Sequence, residues 1–162
     1  MKKITILITI FISINTFNQN STVKKWYNYK KSKLENYNFN DTLNLIDVDK
    51  AATYKGCENF NSNISKINCL NTSLSIRTSE KINRLVKLNR IKLKKGINKL
   101  RVQFFIDENG HIIVGKIIVS YTSNIKNSIS KIIESATKLI PVINLNKIIT
   151  VKYSLRIPFL IK

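Results

Sequence analysis

Lys147 to Phe159 reads KIITVKYSLRIPF. Ile149, Val151, Tyr153, Leu155, Ile157 and Phe159 occupy every second position, and Thr150, Lys152, Ser154, Arg156 and Pro158 fill the gaps. Successive side chains of a strand point to opposite faces, so this pattern sets one apolar face on a core and one polar face toward water. It is the longest clean alternation in the chain, and it reads as a sheet strand. Pro158 lacks an N–H, so pairing is expected to weaken near the strand's end.

Moving toward the N-terminus, Val142 to Asn146 reads as a linker, and Ser123 to Ile140 as a helix. Ile125, Ile129, Ile132, Ile133, Ala136 and Ile140 recur there at helical spacing, and Pro141 closes it. A hairpin precedes this helix. Leu100, Val102, Phe104 and Ile106 alternate with Arg101, Gln103, Phe105 and Asp107, and Asp107-Glu108-Asn109-Gly110 reads as the turn, since Asn-Gly tolerates positive φ. His111 to Ser120 returns as the second strand, apolar on both faces, with Gly115 marking a bulge. Thr78 to Asn89 reads as an earlier helix with Ile82, Leu85 and Val86 on one stripe. The order is helix, strand, strand, helix, strand. The expected fold is α+β: a small antiparallel three-stranded sheet with two helices on one face. The last strand pairs beside the first, antiparallel to it, and forms an edge.

The chain has 162 residues, one domain's worth, with a formal net charge of +19 and a pI near 10.1. That charge admits a nucleic-acid or anionic-membrane partner. Lys stands almost everywhere in place of Arg, which points to a bias across the whole sequence and against base-specific contacts; nucleic acid is not favoured. One histidine, His111, and two cysteines, Cys57 and Cys69, leave too few ligands for a zinc site. No cofactor or metal is expected, and no catalytic constellation is recognisable, so the chain is not read as an enzyme.

Residues 1–19 begin with two lysines followed by an apolar run from Ile4 to Ile12, which breaks at Asn15. They read as a secretory signal peptide or a short membrane anchor, and in both cases the rest is exported. Residues 20–44 interleave lysines with Trp26, Tyr27, Tyr29, Tyr37 and Phe39. Such a stretch suits a flexible linker, a tether touching a membrane surface, or single-strand nucleic-acid stacking. In an exported chain an even pair of cysteines is most simply a disulfide, Cys57 to Cys69, pinning an irregular segment from Asn59 to Asn68.

From about Leu45 onward the chain resembles the C-terminal domain of TonB-type energy transducers, in the form common in Bacteroidota. Tyr54-Lys55-Gly56-Cys57-Glu58 resembles the family's entry motif, and Cys69 its second cysteine. SEKINRLVKLN is similar to its first helix, LRVQFFIDENGHI to its strand and turn, and VKYSLRIPF to its closing strand. The Tyr-Pro usual after the first helix is replaced by Arg90 to Lys95, and the Pro-Gly-Lys after the second by Pro141-Val142-Ile143. The resemblance implies a periplasmic domain that binds the N-terminal segment of a TonB-dependent outer-membrane receptor by β-strand addition, supporting energy-dependent transport. It implies that Ile149, Thr150, Val151, Lys152, Tyr153, Ser154, Leu155 and Arg156 carry the contact. Inner-membrane proton-channel subunits would be further partners, and an exposed edge also permits a strand-exchanged homodimer. The competing readings are a basic nucleic-acid-binding protein and an exported structural domain without receptor coupling. Proline in place of Val151 is expected to remove an edge donor or to disrupt the strand.

Overall fold

The computed structural model describes residues 25–118, 123–136 and 138–161. Residues 1–19, read above as a signal peptide or short membrane anchor, lie outside them. Among the described residues no helix is long and apolar enough to cross a membrane. The chain divides into two compact units, Met1–Asn38 and Phe39–Lys162.

In the first unit residues 25–36 form a helix, α1, where the composition suggested an unstructured linker. Its support is local. Trp26 stacks on Tyr29 at 5.4 Å, Lys33 lies over the rings of Tyr29 and Tyr37, and Lys31 pairs with Glu35 four residues on. Pairs at this spacing face one another on a helix surface.

The second unit contains a 3-10 turn (Leu45–Asp47), helices α2 (Asn63–Lys87) and α3 (Ser123–Glu134), and strands β1 (Gly96–Ile106), β2 (Ile112–Ile118), β3 (Val142–Asn144), β4 (Lys147–Ile149) and β5 (Val151–Ile161). Strands β2, β1 and β5 form an antiparallel sheet in that order. This is the expected α+β arrangement, with β5 beside β1 and at an edge. The register of β1 against β5 runs without a break from Gly96↔Ile161 to Ile106↔Val151. Against β2 it shifts once: Gln103 faces Lys116 and Phe104 faces Val114, so Gly115 is the extra residue of a bulge.

One hydrophobic cluster joins Leu100, Val102, Phe104 and Ile106 of β1 to Val151, Leu155, Ile157, Phe159 and Ile161 of β5 and to the inner stripes of both helices. Those stripes are Ile67, Leu70, Leu74 and Ile82 on α2, and Ile125, Ile129, Ile132 and Ile133 on α3. Both helices therefore cover the same face of the sheet. The other face carries Lys99, Arg101, Gln103 and Phe105 from β1, with the alternate residues of its neighbours.

Two helices differ from expectation. α2 starts at Asn63, fifteen residues before Thr78, so the stretch from Asn59 to Asn68 is helical from Asn63 onward rather than irregular throughout. Ser62 caps it by accepting from the Ser65 N–H at 3.1 Å, and Asn63 ties it to the preceding loop through Val48 O, Asp49 O and the Ala51 N–H. α3 stops at Glu134, short of Ile140, because the following chain is claimed by other partners. Leu139 N–H donates to Gly110 O, and Ile140 and Thr53 exchange both backbone bonds. Arg77 and Lys81 reach Ser135 at the end of α3, where cations favour a helix C-terminus. Burial, and secondarily Arg77, lowers the pKa of Lys81.

The linker expected at Val142 to Asn146 is instead a small hairpin, β3 with β4, turned by Leu145 and Asn146 at positive φ. The alternation read as one strand is thus two: Ile149 pairs with Val142 in β4, and β5 begins at Val151.

Cys57 and Cys69 form a disulfide with Cα atoms 6.0 Å apart. It fastens the buried Cys57 turn to the second turn of α2. The closed loop is short, so replacing both cysteines with serine is expected to cost about 3 kcal/mol by the loop-entropy relation. Urea unfolding of the oxidised protein and the double variant measures this directly.

Candidate functional site

The register of β5 determines which of its backbone groups are available. Lys152 N–H donates away from β1, to Leu43 O at 2.8 Å. Since β5 pairs with β1 without a bulge, every second residue shares that outward direction. Lys152, Ser154, Arg156, Pro158 and Leu160 thus aim their backbone groups outward, while Val151, Tyr153, Leu155, Ile157 and Phe159 bond to β1. Pro158 falls in the outward set, so its missing N–H costs the sheet nothing. It pairs in register with Lys99, and β5 continues to Ile161. The weakening expected near the proline therefore applies to the free edge and not to the sheet.

The first part of this edge is taken by the chain itself. Asn44 bridges Lys152 in parallel, and Lys152 Nζ donates to Phe39 O and Asn40 O. The Phe39 ring stands edge-on to Phe105 at 5.6 Å and lies under the Lys152 ammonium. Hence Phe39 to Asn44, read from the sequence as linker, belongs to the folded unit. Beyond Lys152, among the described residues, the outward N–H groups of Ser154, Arg156 and Leu160 meet no backbone partner.

Helix α2 forms one wall beside this open stretch. Asn71, Thr72, Ser75 and Ile76 face Tyr153 to Arg156 and Pro158 across a groove of about 530 Å³. Asn71 Nδ2 donates to the Tyr153 hydroxyl at 2.9 Å, while its buried Oδ1 has no hydrogen-bond partner in the described structure. The Tyr153 ring stands edge-on to Phe104, which fixes that side of the groove to the core. At the opposite sheet edge α3 packs over the inner face of β2, and Glu134 Oε1 accepts from the outward Val114 N–H at 2.9 Å.

Of the eight residues implied as a contact, the structure brings Val151 to Arg156 together on β5. Ile149 lies in the neighbouring hairpin and Thr150 between the two. The outward groups begin at Ser154 once Lys152 is accounted for, and they extend past Arg156 to Leu160. The α2 wall was not read from the sequence, although Ile67, Leu70, Leu74, Thr78 and Ile82 repeat at helical spacing ahead of the helix expected there.

Elsewhere the polar groups serve the fold. Asp107 is fully buried, accepts from the N–H groups of Asn109 and His111, and lies 3.4 Å from His111 Nδ1. This constellation builds the hairpin turn. Among the described residues no group of three or more His, Cys, Asp or Glu side chains is placed to hold a metal.

Fold and site together define a small α+β domain whose β5 edge is partly open and flanked by the α2 groove. Comparison with family models, with curated proteins and with solved structures finds no match.

Proposed function

We propose that this chain is an exported binding domain of the TonB C-terminal type. It takes up an extended segment of an outer-membrane receptor as an added strand on β5 and thereby supports energy-dependent transport from the periplasm. The observation that carries this reading is the unpaired outer edge of β5 from Ser154, flanked by the α2 groove. An added strand would satisfy those N–H and C=O groups, and its alternate side chains would meet Thr72, Ser75 and Ile76. No covalent chemistry is required on this chain. The resemblance in the order of motifs, from Tyr54-Lys55-Gly56-Cys57-Glu58 to the closing strand, supports the same reading.

The test uses synthetic peptides from the N-terminal segments of outer-membrane barrel receptors encoded in the same genome, with the full chain as binder. Ser154→Pro removes one outward donor and leaves the β1 ladder whole, because Ser154 shares the direction of Lys152. Peptide affinity is expected to fall about tenfold or more, with the far-ultraviolet spectrum unchanged. Peptide binding that survives Ser154→Pro would exclude this edge, and absence of binding by any receptor peptide would remove the receptor from the proposal.

A further inference from the structure

The sheet face away from the helices has a charge distribution that the folding of the domain does not call for. Strands β1, β2 and β5 contain no Asp or Glu. Their outer face carries Lys99, Arg101, Lys116, Lys152 and Arg156. The chain has five arginines, and two of them, Arg101 and Arg156, stand directly opposite each other across β1 and β5. Like charges opposite one another destabilise a sheet pair, and neither guanidinium has a carboxylate partner among the described residues. They border a shallow apolar depression of about 470 Å³ formed with Ile118 and Pro158. Among the described residues this face carries two aromatics, Phe105 at 3% exposure and the half-buried Phe39 set edge-on over it beneath the Lys152 ammonium, so it offers no row of open rings on which successive bases could stack.

The row Ile118–Arg101–Arg156 runs across the sheet and ends at the open edge. A strand added to β5 would extend that row by one residue, set beside Arg156 at the spacing of a cross-strand pair. A carboxylate there meets Arg156 directly, and Arg101 adds to the field from one strand further in. Arginine accepts a carboxylate through two parallel N–H bonds, which the surrounding lysines do not match.

We propose that the partner of the β5 edge is an acidic extended peptide, with carboxylates at alternate positions on the side of Arg156 and Arg101 and small or apolar residues on the side of α2. This rests on the strand-addition reading and specifies the partner that edge selects. An acidic strand would relieve the repulsion between the two guanidiniums, and so would be preferred over a neutral one of equal β-propensity.

The experiment compares three labelled ten-residue peptides in which Val alternates with Glu, Gln or Lys, by fluorescence anisotropy on the full, oxidised chain. The Glu peptide is expected to bind about tenfold more tightly than the Gln peptide at low salt, with the difference shrinking at 0.5 M salt as exposed charges are screened. In Arg156→Glu the order should invert in favour of the Lys peptide, and Arg156→Gln should abolish most of the difference without introducing a new charge. Equal binding of the Glu and Gln peptides, both sensitive to Ser154→Pro, would overturn the acidic partner while leaving strand addition intact. Glu-peptide binding that is unaffected by Ser154→Pro, or by backbone N-methylation of the peptide, would remove strand addition itself. Binding of phosphatidylglycerol vesicles or of oligothymidine through the same arginines, with no Glu-peptide binding, would overturn the proposal in favour of a lipid or nucleic-acid surface.

Discussion

Proline at Leu155 is expected to unfold the domain, and proline one residue earlier, at Ser154, to leave it folded. The two residues differ in which side of β5 their backbone faces. Leu155 sits opposite Val102, and by the parity set at Lys152 its N–H belongs to the β1 ladder. Its side chain is 6% exposed and part of the core. Proline there removes a central ladder bond and the burial of a leucine side chain, a combined loss of roughly 4 kcal/mol or more. Ser154 is exposed and faces outward, where Pro158 already demonstrates that the edge accommodates the ring. Its replacement is expected to change stability by about 1 kcal/mol or less. Thermal unfolding of both variants is the measurement. Equal destabilisation would mean that the register inferred for the outer edge is wrong. The same parity reassigns Val151: its N–H faces Ile106, so proline there disrupts the strand and does not isolate the edge.

The second large effect is expected at Gly110. This residue adopts φ +77°, which an L side chain tolerates poorly, and a Cβ built on it runs into the carbonyl of Leu139. The two segments approach because Leu139 N–H donates to Gly110 O at 2.9 Å, and Leu139 is itself core, at 2% exposure. Gly110→Ala would strain the turn and push the segment after α3 away from it. A left-handed conformation alone costs about 1–2 kcal/mol for alanine. With the broken hydrogen bond the total is expected near 3 kcal/mol. Denaturant titration gives the number, and a loss below about 1 kcal/mol would show that the segment at Leu139 yields without cost.

Gly110 also shows what a linear reading can and cannot provide. The Asn-Gly turn was visible because its requirement is local. The approach of Leu139 was not, since it depends on where α3 ends. The same division runs through the molecule. Sheet order, the bulge at Gly115 and the pairing of Cys57 with Cys69 follow from period-two alternation, a lone strand glycine and an even count of cysteines. The first half of α2 was obscured by its Asn, Ser and Thr residues, which are weak helix formers; burial of Ile67, Leu70 and Leu74 overrides that weakness. The β3–β4 turn puts Leu145 at φ +49° with 78% of its surface exposed, a position where sequence preference predicts Gly or Asn. As for the edge, its existence was legible from the alternation. Its open limits were not, because Leu43 claims Lys152 from more than a hundred residues away.

Pro158 has a consequence for the concentrated protein. An open strand edge invites another copy, and chains with long bare edges tend to precipitate as growing sheets. Two β5 strands paired antiparallel about an axis at Arg156 would set each Ser154 against the other copy's Pro158. The missing donor would then be met twice, and Arg156 would lie beside its own counterpart among several further cations. A foreign strand meets the missing donor once and can bring the opposite charge. In that register the edge is biased against its own kind: the same two residues, Pro158 and Arg156, that a different chain can accommodate count twice against a second copy.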